Sequence, residues 1–361
     1  MNSIFNFCLV SVETKVDFII VGQGLAGSVL ALELVKRKKN IIVFDEPEKN
    51  RASLIAAGLF NPVTGKLMTR TWKAAELFSA LRFFYSEAEQ VIKKKCFYPM
   101  PLYRPFLSVE EQNEWMGKSA ESGMLDHIEK VFAHSTYGSD VNDYFGGLLL
   151  KNCGYLDTTV FLSGVRQMLI GSNCFKDVYF DETKVGWSDH EVRYEGIRAD
   201  KIIYANGLGA QQSIFFNQLP LRALKGETLL IKTASTFERI YNRGVYLVPV
   251  GEKGVYKVGA TYNTKDKTGA TTAEGKSELV EKLNGLIKVS YDIVGQDWGF
   301  RPTTPDRRPV LGAHPDHPNL VIFNGLGTKG VSLAPYFASQ MAQWLCGEGE
   351  IEKAVRVSRF Y

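Results

Sequence analysis

A glycine-rich turn between a short apolar strand and a helix constrains the fold of this chain more than any other segment. The apolar run 17–21 (DFIIV) leads directly into the hexapeptide 22–27 (GQGLAG), and the following SVLALELVKRK has helical periodicity. A second apolar run, 41–44, ends at Asp45, which lies 23 positions after Gly22. The order of strand, G-x-G-x-x-G, helix, strand and acidic residue is typical of a dinucleotide-binding α/β unit.

The residues of this turn have separate physical tasks. Gly22 permits the tight turn, Gly24 lets a pyrophosphate approach the backbone, and Gly27 lets the helix pack on the strand. The helix N-terminus holds the phosphates with its free N–H groups and positive dipole end, and Asp45 accepts hydrogen bonds from the ribose hydroxyls. The alternative is a glycine turn in an unrelated α/β unit, and the motif alone does not distinguish FAD from NAD.

Length and composition narrow the class of protein. With 361 residues, 45% of them hydrophobic, the chain is long enough for a large core and two domains. Its net charge of +4, from 43 Lys+Arg and 39 Asp+Glu, is too small for a strong field and argues against nucleic-acid binding. The five cysteines include no C-x-x-C pair, which is typical of reduced intracellular thiols and not of a disulfide framework or a zinc site.

The sequence also bears on location and on metals. The N-terminal segment has no basic residue before Lys15 and no small-residue cleavage pattern, so it makes a poor signal peptide. The most apolar later run, 16–35, contains Asp17 and Glu33, which argues against a membrane span. We therefore expect a cytoplasmic protein. The segment 314–318 (HPDHP) has two histidines but no further ligand, so we expect no metal site.

Hydrophobic patterns predict how secondary structure is distributed along the chain. The predicted helices are 71–95, 154–169 and 331–346, and the predicted strands are 98–109, 178–185, 191–194, 201–204, 226–232, 245–250, 255–262 and 319–323. Prolines interrupt 98–109, so an edge strand is expected there. The small-residue-rich segment 51–65 is expected to be a loop whose backbone comes close to a ligand.

A second glycine-rich turn, 324–330 (NGLGTKG), leads into the last predicted helix. It offers a second positive dipole end. Two such ends suit a cofactor with two polar regions, with a pyrophosphate at the first and a flavin pyrimidine edge, which is anionic when reduced, at the second. The pairing favours FAD.

These signals predict an α/β protein of two domains. A Rossmann-like FAD-binding domain is expected to be discontinuous and to comprise residues 1–95, 150–215 and 295–361. A β-rich substrate domain with an antiparallel or mixed sheet is expected to comprise residues 96–149 and 216–294.

The segment 299–312, GFRPTTPDRRPVLG, holds three arginines and three prolines. Each proline fixes its own φ and biases the residue before it toward extended geometry, so Arg301 is held out of helix. A stiff basic segment of this kind is either a solvated connection or a platform that directs a guanidinium at an anion. For Arg301 the alternatives are a loop salt bridge, for example to Asp306, and the binding of a substrate carboxylate.

Eight segments in a fixed order resemble a known family. They are VGQGLAG…VFDE, ASLIAAGLFNP, GYLDTTVFLSGVRQML, KIIYANGLGA, LKGETLLIK, VYLVPV…YKVGATY, GFRPTTPDRRPVLG and NGLGTKGVSLAP. With these segments, which run nearly end to end, the chain resembles the D-amino acid oxidase-like superfamily of FAD amine oxidoreductases. That superfamily includes glycine oxidase, sarcosine oxidase and the oxidase domain of a tRNA wobble-uridine modification enzyme. The resemblance is specific to the superfamily and not to one substrate.

The resemblance implies how the chain binds FAD. Ser53 and the backbone of Ala57 and Gly58 would lie along the phosphates and the flavin, Val185 would bind adenine through its main chain, and 327–330 would face the flavin pyrimidine. The candidate cofactor-binding residues are then Gly22, Gly24, Leu25, Ala26, Gly27, Asp45, Glu46, Ser53, Ala57, Gly58, Val185, Gly207, Gly327, Thr328, Lys329 and Gly330.

The resemblance also implies three residues of the substrate site. Arg301 matches the arginine that pairs with the substrate carboxylate, and Tyr246 matches a tyrosine near it. Lys257 matches a lysine that sarcosine oxidases place over the flavin for oxygen. The alternatives from the sequence alone are a core role for Tyr246 and an ordinary outward strand lysine for Lys257.

The chain departs from the family pattern in two places. Sarcosine-oxidase-type enzymes bond the flavin to a cysteine, but here no cysteine lies between Cys174 and Cys346, so we expect non-covalent FAD. The segment 61–72 (NPVTGKLMTRTW) differs from the well-studied members, which leaves the substrate pocket open.

The resulting expectation is an FAD-dependent oxidoreductase that oxidises the C–N bond of a small amine or amino acid by hydride transfer to flavin. The electron acceptor would be oxygen or another acceptor. The alternatives are a quinone-linked amino-acid dehydrogenase, an oxidase acting on a modified tRNA wobble uridine, and a non-catalytic flavin-binding protein.

Overall fold

The computed structural model describes residues 13–46, 52–64, 69–119, 121, 123–188 and 191–361 of the chain. Its helices are α1 (Leu25–Lys36), α2 (Ala52–Ile55), α3 (Ala74–Ile92), α4 (Val109–Lys118), α5 (Thr158–Gly171), α6 (Ala273–Leu286) and α7 (Gly330–Leu345). Its strands are β1 (Thr14–Val21), β2 (Ile41–Phe44), β3 (Leu59–Phe60), β4 (Val63–Thr64), β5 (Thr69–Arg70), β6 (Phe97–Pro99), β7 (Leu102–Pro105), β8 (Ile128–Phe132), β9 (Gly147–Leu150), β10 (Gly154–Leu156), β11 (Phe175–Lys176), β12 (Gly186–Trp187), β13 (Val192–Tyr194), β14 (Ile197–Tyr204), β15 (Arg222–Lys232), β16 (Ile240–Arg243), β17 (Val245–Pro249), β18 (Val255–Gly259), β19 (Asp292–Thr303), β20 (Val310–Ala313) and β21 (Leu320–Asn324). Short 3₁₀ turns lie at Glu182–Lys184, Gly207–Gln211, Gly327–Lys329 and Val357–Phe360.

The first sheet has a parallel core in which β1 lies between β2 and β14, and β21 follows β14. The register places Val21 beside Phe44 on one side and Tyr204 on the other, so these strands end at one edge of the sheet. All four residues of β2 and most of β1 are buried, as expected for parallel strands covered on both faces. The shorter strands β11, β12, β13 and β20 extend this sheet. The α/β architecture predicted from the glycine turn is confirmed.

The helices α1, α3, α5 and α7 cover one face of the first sheet. Their apolar side chains form one cluster with the strands, to which Val29, Leu81, Phe161 and Phe337 contribute from the four helices in turn. Ten of the twelve residues of α1 are buried, because this helix packs against the sheet, α5 and α7. This explains why its sequence is apolar on nearly every side instead of on a single stripe.

The second sheet has eight strands in the order β19-β15-β18-β17-β16-β7-β9-β8. Its described pairs are antiparallel except for the parallel pair of β16 with β7. Leu279 and Leu283 of α6 pack on one face, in a cluster with Val258. The other face turns toward α2, since a Cβ added to Gly299 of β19 would lie 3.2 Å from Ala52 Cα. A mixed, mainly antiparallel second sheet was predicted and is confirmed.

Two small sheets lie beside the larger ones. β10 pairs with β3 on one side and with β6 on the other. β4 and β5 form a hairpin whose connecting residues, 65–68, lie outside the described residues. This hairpin belongs to the segment 61–72 that departs from the family pattern.

Two strand predictions were wrong, the first of them in part. The Pro-containing run 98–109 was expected to form an edge strand. β6 does lie at the edge of the three-stranded sheet, but β7 lies inside the second sheet between β16 and β9. Its prolines stand at or outside the ends of the paired stretch, so they do not interrupt the ladder. The run 178–185 contains the 3₁₀ turn Glu182–Lys184 and no strand. The Asp181 carboxylate accepts from the backbone N–H of Thr183 at 3.1 Å, which favours the turn.

The segment 51–65 was expected to be a loop and instead contains α2, β3 and β4. Its two end residues, 51 and 65, lie outside the described residues. Residues 1–12, which make up most of the N-terminal segment that matches a signal peptide poorly, also lie outside them. The predicted domain boundary at residue 295 falls within β19, which pairs with β15 on both sides of that position. The domain division stays a prediction.

Hydrophobicity gives no sign of a membrane span. Among the residues that the structure describes, no helix combines the length and the apolar character needed to cross a bilayer.

Two helical glycines allow a test of the packing of α1 on β1. A Cβ at Gly27 would lie 1.9 Å from the Gly22 carbonyl oxygen, whereas a Cβ at Gly117 in α4 would have no atom within 4 Å. We expect Gly27→Ala to lower the free energy of unfolding by about 2–3 kcal/mol or more, through overpacking. Gly117→Ala should raise it by about 0.5–1 kcal/mol, because alanine is the better helix former. Urea unfolding followed by circular dichroism measures both, and similar values for the two variants would contradict the packing argument.

Candidate active site

The first glycine turn is built so that two of its three glycines serve the fold itself. Gly22 has a φ of +102°, and a Cβ there would lie 2.7 Å from the Ala205 carbonyl oxygen. Gly27 has no room for a Cβ either, because the Gly22 carbonyl oxygen lies against it. Both glycines therefore bring β1, α1 and the end of β14 into contact, as the motif predicts.

Gly24 differs from the other two. Its φ of −73° suits any residue, and the nearest atom to an added Cβ is the Ser53 hydroxyl oxygen at 3.5 Å. The same hydroxyl accepts from the Leu25 N–H at 3.1 Å, at the first turn of α1. No steric demand of the described chain requires glycine at this position. The space over the helix N-terminus fits the approach of a pyrophosphate.

Asp45 stands at the carboxyl end of β2, next to this turn. Its carboxylate accepts from the Gln23 N–H at 2.9 Å and lies 3.5 Å from the Arg166 guanidinium. Arg166 also pairs with Asp177 at 2.6 Å. Glu46 follows directly and is exposed. The carboxylate of Asp45 is thus fixed beside the turn, where a ribose can reach it.

The second glycine turn lies at the carboxyl end of β21. The Asn324 side chain donates to the Gly207 carbonyl at 2.8 Å and so joins the ends of β21 and β14. Gly327 begins the 3₁₀ turn with a φ of +56°, and Gly330 begins α7. Both predicted dipole ends thus belong to helices that cover one face of the first sheet.

Thr328 and Lys329 complete this 3₁₀ turn. The Lys329 ammonium donates to the hydroxyls of Thr64 and Thr71 at 2.9 and 3.2 Å, and thereby ties the turn to the β4–β5 hairpin. Burial lowers the pKa of Lys329, and the positive charge of Arg307 lowers it further. No carboxylate of the described chain forms an ion pair with it.

The remaining predicted cofactor residues lie around these turns. Ala57 is buried, and Gly58 has a φ of +67° with its carbonyl accepting from the Leu156 N–H at 3.1 Å. Val185 ends the Glu182–Lys184 turn and packs in one cluster with Phe44 at the end of β2. Its N–H donates to the Glu182 carbonyl at 3.2 Å.

Strand register brings the three predicted substrate-site residues onto one face of the second sheet. Tyr246 on β17 is paired with Gly259 on β18, and Gly259 is paired on its other side with Thr228 on β15. Lys257 lies two positions before Gly259 on β18. Arg301 is two positions after Gly299, which is paired with Gly226. Residues paired across an antiparallel ladder, and those two apart on a strand, share a face. This is the face that turns toward α2.

Arg301 lies in a hollow that a glycine provides. A Cβ at Gly226 would come within 2.1–2.3 Å of the guanidinium atoms, so only glycine lets the side chain lie across β15. The guanidinium donates to the Thr261 carbonyl at 3.4 Å, and burial lowers its pKa. No carboxylate of the described chain lies within ion-pair distance of it. The salt bridge to Asp306 is excluded, because Asp306 pairs with Arg359 at 2.9 Å.

Tyr246 stands over a second glycine. A Cβ at Gly259 would lie 2.6 Å from the Tyr246 hydroxyl oxygen. Burial raises the pKa of Tyr246 to about 12, and the charge of Arg301 opposes this shift. The phenol therefore stays protonated and close enough to the Arg301 guanidinium to be influenced by it.

Lys257 points into the molecule and not outward. Its ammonium donates to the Ile55 carbonyl of α2 at 3.0 Å. Burial lowers the pKa of Lys257, and the carboxylates of Asp297 and Asp157 act in the opposite sense. The interpretation as an ordinary outward strand lysine was wrong. Lys257 is a half-buried cation beside α2.

The sequence analysis missed the glycines that shape this face, Gly226, Gly259 and Gly299. Isolated glycines inside strand patterns signal a close approach, and the runs LKGETLL and KVGATY contain that signal. Two surface clefts, one beside the end of α7 and one between β10 and the turn 249–256, are lined by other residues. Within the described ranges no group of histidine, cysteine and acidic residues could hold a metal.

Gly24→Val tests whether the space over α1 receives a phosphate. A valine side chain meets little of the protein but fills that space, so we expect loss of flavin at purification while the thermal unfolding temperature of the apoprotein changes little. Gly117→Val, at an open surface position, is the matched control and should retain flavin. Undiminished flavin in Gly24→Val would place the pyrophosphate elsewhere.

Comparison with known proteins bears on this geometry. A family model described as DAO, FAD dependent oxidoreductase, matches residues 17–344. The chain is 24% identical over 351 residues to the bifunctional protein ThiO/ThiG of Nostoc sp., covering 90% of this chain and 52% of that protein. It is 24% identical over 396 residues to the tRNA 5-methylaminomethyl-2-thiouridine biosynthesis bifunctional protein MnmC of Legionella pneumophila, covering 91% of this chain and 53% of that protein. The chain thus spans about half the length of these curated relatives.

Two further similarities extend over whole proteins. The chain is 23% identical over 365 residues to the glycine oxidase of Bacillus licheniformis, covering 92% of this chain and 94% of that enzyme. Its structure is similar to that of iminodiacetate oxidase from Chelativorans sp. BNC1, with a TM-score of 0.78 at 18% sequence identity, covering 94% of this chain and 98% of the other. Because the family model spans most of the chain, the protein belongs to the DAO family of FAD-dependent oxidoreductases.

Proposed function

We propose that the protein oxidises the C–N bond of a small amine or amino acid by hydride transfer to FAD. The observation that carries this proposal is Arg301, a half-buried guanidinium with no carboxylate partner in the described chain, on the sheet face that turns toward α2. FAD bound here would supply a two-electron acceptor for the hydride of the substrate Cα and would be reoxidised by a second substrate. The similar glycine oxidase and iminodiacetate oxidase support a carboxylate-bearing amine as substrate.

The residues of this face suit an amino acid. The Arg301 fork matches a carboxylate with two parallel charge-assisted hydrogen bonds. The protonated phenol of Tyr246 supplies a further donor near the same group. Because Pro302 follows Arg301 on an extended strand, little conformational freedom is left to lose on binding. Together these groups orient the substrate by its acid end.

FAD is proposed to bind without a covalent bond. The residues that would hold it are Gly24 with the first turn of α1, Asp45, and the turn 327–330. Cys346 follows the last residue of α7, and residues 331–345 of the helix separate it from that turn. Burial raises the pKa of Cys96 to about 12, which keeps this thiol protonated.

We propose a cytoplasmic location for the protein. Oxygen is the proposed electron acceptor. The half-buried ammonium of Lys257 would stabilise negative charge that develops on oxygen in a site sheltered from water. A quinone-linked dehydrogenase and an oxidase of a modified tRNA uridine are the alternatives. Similarity to MnmC favours the latter, although the net charge of +4 offers little for RNA.

Arg301→Met tests the carboxylate site. Removal of two charge-assisted hydrogen bonds should cost about 3–5 kcal/mol at most, or roughly two to three and a half powers of ten in kcat/KM for the best amino acid of a panel. FAD content should be unchanged. Lysine at this position should recover only part, since a point charge cannot reproduce the fork.

The matched control is Arg222→Met, because Arg222 is an exposed arginine at the start of β15, the strand that pairs with the one carrying Arg301. It should behave as the wild type. The sharper comparison uses an amino acid and the same amine without its carboxylate, under anaerobic conditions, with flavin reduction as the signal. If Arg301→Met keeps the full preference for the acid, the carboxylate is bound elsewhere.

Lys257→Met tests the acceptor side. We expect it to slow flavin reoxidation by oxygen far more than flavin reduction, while Lys253→Met on an exposed turn changes neither. Because burial lowers the pKa of Lys257 and only the charged form helps, wild-type reoxidation should slow as pH rises through a value below that of an exposed lysine. Stopped-flow measurement across pH separates the two half-reactions. Equal rates in Lys257→Met and wild type would remove this residue from the mechanism.

A further inference from the structure

The loop 260–272, which joins β18 to α6, lies beside Arg301. The Thr261 carbonyl accepts from the Arg301 guanidinium at 3.4 Å. Thr261 is itself fixed to β15, because its N–H donates to the Glu227 carbonyl at 3.1 Å and its hydroxyl accepts from the Glu227 N–H at 2.8 Å. The next residue, Tyr262, is 59% exposed. A large phenol therefore stands directly after the carbonyl that contacts the guanidinium.

A buried ion pair holds the middle of this loop. The Lys225 side chain is 1% exposed, and its ammonium lies 2.6 Å from the Asp266 carboxylate and 3.1 Å from the Thr268 hydroxyl. Lys225 and Thr268 hold the pKa of Asp266 at about 2, so the carboxylate stays ionised at neutral pH. The Lys225–Asp266 pair, here called the clip, therefore spans from the centre of β15 to the loop.

Backbone and side-chain bonds on either side of the clip complete the attachment. Lys225 exchanges two backbone hydrogen bonds with Asn263, at 2.9 and 3.0 Å. The Glu227 carboxylate accepts from the Thr272 N–H and hydroxyl at 2.8 and 2.7 Å, and from the Gln296 amide at 2.7 Å. The start, middle and end of the loop are all fixed to β15, the strand across which Arg301 lies.

The composition of the loop explains why it needs such an attachment. The sequence 261–272 (TYNTKDKTGATT) offers no large apolar side chain except Tyr262, so burial of apolar surface cannot hold it in place. Charged and polar bonds must do so, and a lysine that is almost fully buried is tolerated only when it is paired. Tyr262 itself is left largely open, and its phenol lies close enough to Arg301 to oppose the lowering of the pKa of that guanidinium by burial. Arg301 has no carboxylate partner in the described chain.

We propose that Tyr262 is a substrate-contacting residue that donates a hydrogen bond to the anionic group bound by Arg301, and that the clip is the positioning device that holds it there. The inference rests on the proposed function and deepens it. The ligand class is a small amine with a carboxylate, received between a guanidinium and an aromatic hydroxyl. Lys225 and Asp266 act through the loop and touch no substrate.

Binding of a simple carboxylate to the oxidised holoenzyme gives a readout that does not depend on turnover. Sodium acetate is titrated while the flavin absorbance is followed, and the dissociation constant is compared among variants. We expect Tyr262→Phe, which removes only the hydroxyl, to raise the constant about 10- to 100-fold. Asp266→Ala, which opens the clip at its partly exposed end, should raise it at least about 10-fold, and Asp266→Glu should recover most of the affinity.

Controls separate positioning from loss of structure. Lys265→Met alters an exposed lysine of the same loop and should leave the acetate constant unchanged. The limiting rate of flavin reduction by saturating amino acid should stay within about 2-fold of wild type in Asp266→Ala, since the clip acts on binding. Lys225→Met is a second way to open the clip, and if it fails to fold, Asp266→Ala still decides.

The results of these measurements distinguish a failure of the inference about the loop from a failure of the proposed function. If wild type binds acetate and is reduced by amino acids but Tyr262→Phe or Asp266→Ala keeps the wild-type constant, the inference about the loop is wrong and the proposed function stands. Equal losses in Lys265→Met and Asp266→Ala would also overturn the clip. If wild-type flavin responds neither to acetate nor to any amine, both proposals fall.

Discussion

Half-buried positive charge without a matching carboxylate is the constraint on which this site depends. Arg301, Lys257 and Lys329 all lie in surroundings that lower their pKa values by burial, and among the described residues none of them forms an ion pair. Each donates to a carbonyl or a hydroxyl instead. Partial burial of an unpaired cation carries a desolvation cost, and a bound anion near these three half-buried cations would offset it.

The three cationic side chains belong to elements of different sheets. Arg301 and Lys257 project from the second sheet, while Lys329 stands at the start of α7 on the first. The end of β19 connects them, since a Cβ added to Gly327 would lie 3.4 Å from the Thr303 side chain and one added to Gly207 would lie 3.9 Å from Pro302. The carboxyl edge of the parallel sheet therefore meets the strand that carries Arg301. Ligands of open α/β sheets bind at such an edge.

Glycines determine how closely strands, helices and side chains approach one another in this fold. Some are required by the packing of the protein itself, and others leave space. Gly22 and Gly27 are needed by the protein's own packing, whereas Gly24 leaves space that the described chain does not fill. On the second sheet, Gly226 lets a guanidinium lie flat across a strand. Gly22 and Gly27 therefore explain how β1 and α1 pack together. Gly24 and Gly226 instead indicate where a ligand can be received.

The sequence by itself determined the strand, glycine turn, helix and strand of residues 17–45, because the residues of that signal lie close together in the chain and act through local turn geometry and strand burial. It also determined that Arg301 is extended, since the following proline acts on its immediate neighbour. It did not reveal that 292–303 is a strand, that β7 is internal, or that Lys257 points inward. Those features depend on which strands pair, as Leu224 does with Arg301, and on which face α2 then covers. Only the tertiary structure decided them, because pairing between strands distant in sequence is set by the burial of whole faces and not by local residue preference.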